Sequence, residues 1–523
     1  MIGVILAILA VPLAAGIACF FVPARAAAGI TVASGIVSFG LVLALIPEVT
    51  HGTLNYLSYL RVDAISGVFL LATGFLYAAV AVYAVGYLKS HRDDPRYTRR
   101  FYLGFNVFAW AMLAAPLMGS LALLWIAVEV TTVVSALLVA VEDTDGAAEA
   151  SWKYVLIASA GLGLGLLATI FAYYAGAQVL GAHSNLAIQP LIDAGAKLPK
   201  TPIRLAFLLA TLGYGTKVGL VPVHTWLPDA HSEAPTPVSA LLSGALLATS
   251  FYAILRFYQV AVAALGYGLP RDTLLAFGIA SLLLASLYVF GQRDVKRLLA
   301  YSSVEHMGIM AIGMSFASPI ALAGVLLHVL AHAAAKGNAF MGAGVFTVKY
   351  ETKRMSAMRD GMRLLPWSGP LFLLAIFALS AFPPFGIFRS EFQIVAGGLA
   401  GGSYAAAAVL VILVTIAFFG LATSTTTMLL TPARAQTPGV MASGQPAPAA
   451  STARPDSELA DRTAVAVRAR TQASPALLPG EPSAWMVIPV LAGLAVLVVL
   501  GVHPPGELTN LIGQAVAQLR GTP

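Results

Sequence analysis

Long apolar segments, separated by short polar ones, occupy most of the chain. A helix that spans a bilayer needs about 20 apolar residues, and about fourteen segments of the chain approach that length. The predicted spans are 2–22, 27–47, 64–87, 101–119, 121–141, 153–177, 203–222, 237–260, 273–291, 298–315, 319–346, 367–396, 404–430 and 484–503. A helix satisfies its own backbone hydrogen bonds inside a bilayer, and irregular backbone there must be buried in protein or line a cavity. The pattern therefore predicts an all-α polytopic membrane protein.

The first span and the longest polar stretch need separate interpretation. The opening segment MIGVILAILAVPLAAGIACF resembles a signal peptide, but it has no basic start and its apolar run is long. We therefore predict a retained first helix. Residues 431–483 are rich in Ala, Pro, Ser, Thr and Arg, which indicates a flexible cytoplasmic linker, with docking on a soluble partner as the alternative.

Composition supports the membrane interpretation and narrows the chemistry. Hydrophobic residues make up 59% of the chain and charged residues 10%, whereas soluble domains carry about 25% charged residues. Cys19 is the one cysteine, so an iron–sulfur cluster, a structural zinc site and a disulfide framework are excluded. We expect no cofactor and no metal in this chain, and any redox centre of a complex that contains it must lie on other chains.

The basic residues indicate an orientation. Twenty of the thirty Lys and Arg residues fall in loops after odd-numbered spans, and six fall in the loops on the other side. Positive loops stay in the cytoplasm, so both termini are expected on the outer (periplasmic) side of a bacterial inner membrane. The net charge of +7 does not form one patch, and no nucleic-acid partner is expected.

Charged residues inside the spans are candidate functional groups, because burying a charge in a bilayer is costly. Glu129 lies in the middle of LALLWIAVEVTTVVSALLVA, where a structural hydrogen bond to a neighbouring helix is the alternative role. Lys217 lies in LGYGTKVGLVPVHTWLPD, and the glycines and Pro222 predict a broken helix there. Broken helices place helix ends at ion sites, whereas a Lys that extends to the interface would have no such role.

Three ionisable residues share one face of a later span. His328, His332 and Lys336 lie four residues apart in GVLLHVLAHAAAKGNAF, which aligns them along a helix. Histidine suits proton relay. A metal site and simple packing histidines are the rival interpretations.

A second helix break is predicted further along the chain. Pro383, Pro384 and Gly386 precede Glu391. Arg389, two residues before Glu391, is expected to pair either with it or with cytoplasmic or lipid groups. Lys217 and Glu391, each at a break, are five spans apart, which suggests inverted five-helix repeats over spans 4–8 and 9–13. We therefore divide the chain into 1–100 (helices 1–3), 101–260 (first repeat), 261–430 (second repeat), 431–483 (linker) and 484–523 (last helix and tail).

The segment KVGLVPVHTWLPDAHSEAPTPVSALLSG closely resembles the antiporter-like subunits of respiratory complex I, Mrp-type antiporters and group 4 membrane-bound hydrogenases such as formate hydrogenlyase. The resemblance covers roughly residues 60–430. It implies a core of fourteen helices with two inverted repeats and discontinuous helices 7 and 12. The family's proton line matches Glu129, Lys217, His328, His332, Lys336 and Glu391. Secondary candidates are His224, Asp229, His231, Glu233, Arg256, Glu305, His306 and Arg389.

Two further strings favour the hydrogenase branch of this family. RLLAYSSVEHMGIM, with Glu305 and His306, and PPFGIFRSEF both resemble hydrogenase-associated subunits. The resemblance implies partners: other antiporter-like and small membrane subunits, and a soluble redox arm with iron–sulfur and, in this branch, nickel–iron subunits.

One position departs from the family. Many relatives carry Lys or His in the eighth helix where this chain has Ala248. Water held by Thr249, Ser250 or Tyr252 could bridge the gap, or conduction could be weak. The leading hypothesis is a proton-translocating subunit of a hydrogenase-like or complex I-like oxidoreductase. The alternatives are an Mrp-type cation/proton antiporter subunit and a passive membrane anchor, which Ala248 favours.

Overall fold

The computed structural model describes residues 1–56, 59–91, 94–181, 184–432 and 478–521. Most of the predicted linker 431–483 lies outside these residues, so its flexibility stays a prediction.

The described chain consists mainly of helices. In the first half they are α1 (Ile2–Phe21), α2 (Ala24–His51), α3 (Ala64–Tyr87), α4 (Pro95–Ala114), α5 (Leu121–Val139), α6 (Asp145–Leu180), α7 (Ile188–Ala194), α8 (Lys200–Val218), α9 (Trp226–Glu233), α10 (Thr236–Leu241) and α11 (Leu247–Leu265). In the second half they are α12 (Gly268–Tyr288), α13 (Val295–Phe316), α14 (Pro319–Tyr350), α15 (Gly361–Leu364), α16 (Ser368–Leu379), α17 (Gly386–Ala400), α18 (Tyr404–Leu430), α19 (Ala484–Val502) and α20 (Gly506–Arg520). A π-helical turn, Leu242–Leu246, joins α10 to α11.

Each predicted span overlaps one helix of the structure or, for 237–260 and 367–396, two helices. Ten helices in the described part of the chain are long and apolar enough to cross a membrane, so this is an integral membrane protein. Three elements were not predicted from the sequence: α7, the amphipathic α20, and the antiparallel hairpin of β1 (Leu54–Tyr56) and β2 (Leu60–Val62), in which Leu54 pairs with Val62. These elements are too short or too polar to match the pattern of a membrane-spanning helix.

Two of the predicted spans are interrupted. The span 203–222 ends as a helix at Val218, because Gly219 adopts a φ of +85° that stops it; the next helix, α9, begins at Trp226. The span 367–396 is two helices, α16 and α17, separated by residues 380–385. Pro383 and Pro384 lie in that gap and cannot donate the backbone hydrogen bonds of a helix.

Glycines allow the closest helix contacts. At Gly213 of α8, an added Cβ would lie 2.6 Å from the Gly165 nitrogen and 2.7 Å from the Gly161 oxygen of α6. Gly278 of α12 and Gly308 of α13 approach each other in the same way. Small residues let the backbones of membrane helices approach, so the string GLGLG of α6 is a packing motif.

The centre of the molecule is formed by helices with no lipid-facing side. In the segment Thr236–Leu265, which comprises α10, the π-helical turn and α11, all residues except a few at the C-terminal end are buried, and α14 is buried along most of its length. By contrast, most residues of α1 and α18 are exposed or only partly buried. Polar side chains on α11 and α14 are therefore held between other helices rather than in contact with lipid.

Candidate functional site

Glu129 and Lys217 lie near the same helix, α6, but they do not contact each other. The Glu129 carboxylate on α5 accepts a hydrogen bond from Ser159 (3.3 Å), and its second oxygen has no partner among the described residues. Lys217, fully buried at the end of α8, donates to the hydroxyl of Tyr154. The helix α6 thus contacts both groups, the acid through Ser159 and the base through Tyr154.

Tyr154 is a residue that the sequence analysis missed. Its hydroxyl bonds Ser135 of α5 at 2.7 Å as well as Lys217, and its ring lies 4.4 Å from that of Trp226. The remaining buried residues on this face of α6 are mostly small: Ala147, Ala150, Ala158, Gly161 and Gly165. A single large polar side chain on a face of small residues is a pattern that could have identified it.

The segment after α8 buries two histidines. His224 is 8% exposed, and its Nδ1 has no partner among the described residues. His231 on α9 is fully buried, with Nδ1 2.8 Å from the Leu227 carbonyl oxygen. Its Nε2 has no partner in the described structure, and its ring lies 5.6 Å from that of Phe340 on α14. His231 therefore faces the helix that carries Lys336.

Asp229 and Glu233, two secondary candidates, lie outside the buried region. Asp229 pairs with Arg297, and Glu233 pairs with Lys353 at 3.0 Å. All four side chains are more than a quarter exposed. The structure assigns these two acids to ion pairs at a polar surface.

The second half of the molecule brings three histidines and an acid together. His306 Nδ1 on α13 lies 3.1 Å from His328 Nε2 on α14 and 3.8 Å from the Glu391 carboxylate on α17. His328 Nδ1 lies 2.9 Å from the Ser390 hydroxyl. The His332 ring lies 5.3 Å from the His306 ring, and neither of its nitrogens has a partner among the described residues.

This cluster contains the one candidate metal-ligand group found in the described residues. The ligand atoms of His306, His328 and Glu391 lie within 4.8 Å of one another, and could hold a cation. The two imidazole nitrogens are at hydrogen-bonding distance from each other, so the arrangement also fits proton relay. Glu305, the neighbour of His306, is 4% exposed, and one of its carboxylate oxygens has no partner in the described structure.

Lys336 bonds α13, and a serine pair next to this contact joins α13 to the π-helical turn. Its Nζ donates to the Leu299 carbonyl oxygen (3.0 Å) and to the Ser302 hydroxyl of α13. The adjacent Ser303 bonds Ser243 of the π-helical turn at 2.7 Å. All four side chains that take part are buried, and neither Ser243 nor Ser303 was among the sequence candidates.

The hydroxyls expected to bridge the gap at Ala248 are committed elsewhere. Thr249 donates to the Ala245 carbonyl oxygen at 2.9 Å, and Ser250 to the Leu246 carbonyl oxygen at 3.0 Å, both within the same helical segment. Tyr252 accepts from Arg256 at 2.8 Å. Ser243, five residues before Ala248, is the hydroxyl that reaches a neighbouring helix.

Arg256 belongs to a buried ion-pair cluster that is separate from the contacts of Lys217, Lys336 and the three clustered histidines. Its Nη2 lies 2.7 Å from Asp63, which precedes α3 and also pairs with Arg61 at 3.1 Å. Ser66 accepts from the same nitrogen at 3.0 Å, and Gln259 accepts from Nη1 at 2.8 Å. The cluster fastens α11 to the start of α3.

Arg389 does not pair with Glu391. Its Nη1 lies 3.3 Å from the Gly501 carbonyl oxygen and 3.2 Å from that of Val502, at the end of α19. A cation at a helix C-terminus is favourable because the last carbonyl groups have no partner within the helix. Arg389 therefore fastens α17 to α19.

Comparison with known proteins identifies the family. Residues 118–418 match the family described as "NADH:quinone oxidoreductase/Mrp antiporter, TM". The chain is 33% identical to the hydrogenase-4 component F homolog of Methylacidiphilum infernorum, over 66% of this chain and 73% of that protein. It is 30% identical to hydrogenase-4 component B of Escherichia coli, over 64% of this chain and 50% of that protein.

A solved structure shows the same fold. A chain of the membrane-bound sulfane sulfur reductase, an archaeal respiratory membrane complex, superposes with a TM-score of 0.81 at 18% identity, over 99% of this chain and 98% of that one. The family match covers more than half of the chain and includes both interrupted helices. The protein therefore belongs to the NADH:quinone oxidoreductase/Mrp antiporter family, as an antiporter-like membrane subunit.

Proposed function

We propose that this chain is the proton-translocating subunit of a multisubunit membrane oxidoreductase of the hydrogenase branch. The observation that carries the proposal is the set of buried ionisable side chains beside the two interrupted helices, with Lys217 at one and Glu391 at the other. Buried ionisable groups in a membrane protein are costly and mark ion or proton pathways.

The proposed path has three parts. Glu129, Tyr154 and Lys217 form the first, and Lys336 with the Ser302 hydroxyl forms the second. The third is the cluster of His306, His328, His332 and Glu391, in which neutral imidazoles can accept a proton at one nitrogen and release it from the other. Electron transfer in partner subunits would shift the Lys217 proton along this row.

Helix packing supports the proposed inverted repeats. In the first proposed repeat, 101–260, α6 packs on the interrupted α8. In the second, 261–430, α14 packs on α17, which follows the second break. In both pairs a glycine gives close backbone approach, Gly213 in the first and Gly324 in the second. Under this proposal the core has fourteen membrane helices, and residues 1–100 and 484–523 lie outside the repeats.

The proposed setting is a bacterial inner membrane with both termini on the periplasmic side, as the distribution of Lys and Arg favours. The hydrogenase-4 components to which the chain is similar support partners of two kinds. These are further membrane subunits and a soluble redox arm that carries the iron–sulfur and nickel–iron centres.

Replacing Glu129 tests the proposal. Glu129→Gln keeps the size of the side chain and removes its charge and its ability to release a proton. Redox-driven acidification of vesicles that contain the assembled complex should fall by at least about tenfold, since a positioned acid or base contributes on the order of 10²-fold or more. Glu149→Gln is the matched control, because Glu149 pairs with the exposed Lys153 at the polar end of α6.

The outcome also separates the alternatives. Unchanged acidification with Glu129→Gln would refute the proton role and favour a passive anchor. An Mrp-type antiporter, which the family description includes, predicts sodium-dependent proton movement without an electron donor. Proton movement that needs the donor and is indifferent to sodium supports the oxidoreductase subunit.

A further inference from the structure

Three cations surround one cavity at the edge of the molecule. Arg25 at the start of α2, Lys89 after α3 and Arg99 on α4 line a cavity of about 690 Å³. None of the three forms an ion pair with another described residue. A cavity that brings three positive charges together, with no acidic residue among its described lining, suits an anion.

The backbone adds to the positive potential of this cavity. α2 begins at Ala24, its preceding residue is Pro23, and no side chain caps its first amide groups. Both residues line the cavity. The unpaired N–H groups of a helix N-terminus attract anions, phosphate groups above all. The nearby start of α4 differs, because Asp94 accepts from the amides of Arg96 and Tyr97.

Apolar surface continues directly from the charged cavity. Phe21, which lines it, is 74% exposed, and Phe20 and Ile17 on the same end of α1 are 50% and 53% exposed. A free anion would not contact this apolar surface. A phospholipid would contact both parts, with its phosphate in the charged cavity and its acyl chains along the apolar residues. The cations lie on the side that holds most of the Lys and Arg residues, where anionic headgroups bind basic pockets between helices.

We propose that the cavity bounded by Arg25, Lys89 and Arg99 is a specific binding site for the phosphate headgroup of an anionic phospholipid. The acyl chains of this lipid lie along the exposed end of α1. The site is separate from the buried row of ionisable residues and does not depend on the proposed proton path.

Native mass spectrometry of the full chain, purified in detergent with the subunits that accompany it and stripped of lipid, tests the site. The probe is phosphatidylglycerol, compared with phosphatidylcholine and with inorganic phosphate. Arg25→Gln/Arg99→Gln should weaken phosphatidylglycerol binding by about tenfold or more, because each basic residue near an anionic surface contributes on the order of 1 kcal/mol.

The matched control is Arg96→Gln/Arg100→Gln, which removes the same charge from exposed residues that do not line the cavity. The proposal requires that this control keep its affinity within about twofold. Equal weakening in both variants would show diffuse attraction and overturn it. Equally tight binding of inorganic phosphate, or of phosphatidylcholine, would also overturn it. If the double variant fails to assemble, Lys89→Gln provides the same comparison with a smaller change.

Discussion

The hydroxyl of Tyr154 is the direct contact of the buried Lys217 ammonium. Desolvating a cation is costly, and a hydroxyl both offsets that cost and offers a site to which a proton can pass. Lys217 has no carboxylate contact among the described residues, so Glu129 and Lys217 do not form a direct ion pair.

Tyr154→Phe should therefore impair proton movement while the fold is retained. The change removes one oxygen that bonds Lys217 and Ser135 and keeps the ring against Trp226. We expect redox-driven acidification to fall by about tenfold, in the lower range for loss of a proton-transfer group. Tyr174→Phe on the same helix, 55% exposed, is the control; equal effects of the two changes would contradict this role for Tyr154.

The hydrogen-bonded pair of Ser243 and Ser303 gives a second prediction for single residues. Ser303→Ala removes the 2.7 Å bond to Ser243 that links the π-helical turn to α13. We propose that this pair carries the proton between Lys217 and Lys336, and we expect proton movement to fall severalfold because the relay loses a hydroxyl. Ser250→Ala removes a hydroxyl of the same kind that bonds only within its own helical segment. If Ser250→Ala has the larger effect, the path runs along α11 instead.

At the scale of elements, the close approach of α6 and α8 sets the position of Lys217. Gly213 is four residues before Lys217, and its backbone touches that of Gly161 and Gly165. A side chain at position 213 would push α8 away from α6 and move Lys217 from Tyr154.

Gly213→Ala should lower stability by about 1–3 kcal/mol, the usual cost of overpacking, because the added Cβ would meet backbone atoms that cannot rotate away. Thermal unfolding in detergent, followed by size-exclusion chromatography, measures the change. Gly163→Ala on α6 has nothing within 4 Å and should leave the unfolding temperature almost unchanged. Similar unfolding temperatures for both variants would argue against tight α6–α8 packing.

At the scale of the whole molecule, buried polar clusters connect elements that are far apart in sequence. Asp63 and Arg256 are separated by 193 residues and are both fully buried. Gln518 of α20 accepts from the Ile65 amide, and its carbonyl oxygen accepts from Gln259 at 3.0 Å. The C-terminal helix is thereby fastened to the same place as α3 and α11.

Breaking this cluster should destabilise the whole molecule. Asp63→Asn leaves the Arg256 charge buried without its carboxylate, and such a change typically costs about 3–5 kcal/mol. The double variant Asp63→Asn/Arg256→Gln should lose less stability than the two single variants together, since it removes both charges of the Asp63–Arg256 pair and leaves only Arg61 without its carboxylate partner. A double-mutant cycle on thermal unfolding measures this coupling, and strictly additive losses would disprove it. Asp360→Asn, in an exposed pair with Arg363, is the control.

The membrane class, the approximate position of the main helices and the two helix breaks could be predicted from the sequence, because they depend on local hydrophobicity and on Gly and Pro. The sequence also selected His306, His328 and Glu391, since a charge inside an apolar segment is visible without a structure. Which of these side chains contact each other could not be predicted, because it depends on how the helices pack. Tyr154, Ser243 and Ser303 are ordinary residues in sequence, and Arg256, Arg389 and Asp229 gained structural partners. Their roles depend on which helices pack together, and that information lies in long-range contacts rather than in local pattern.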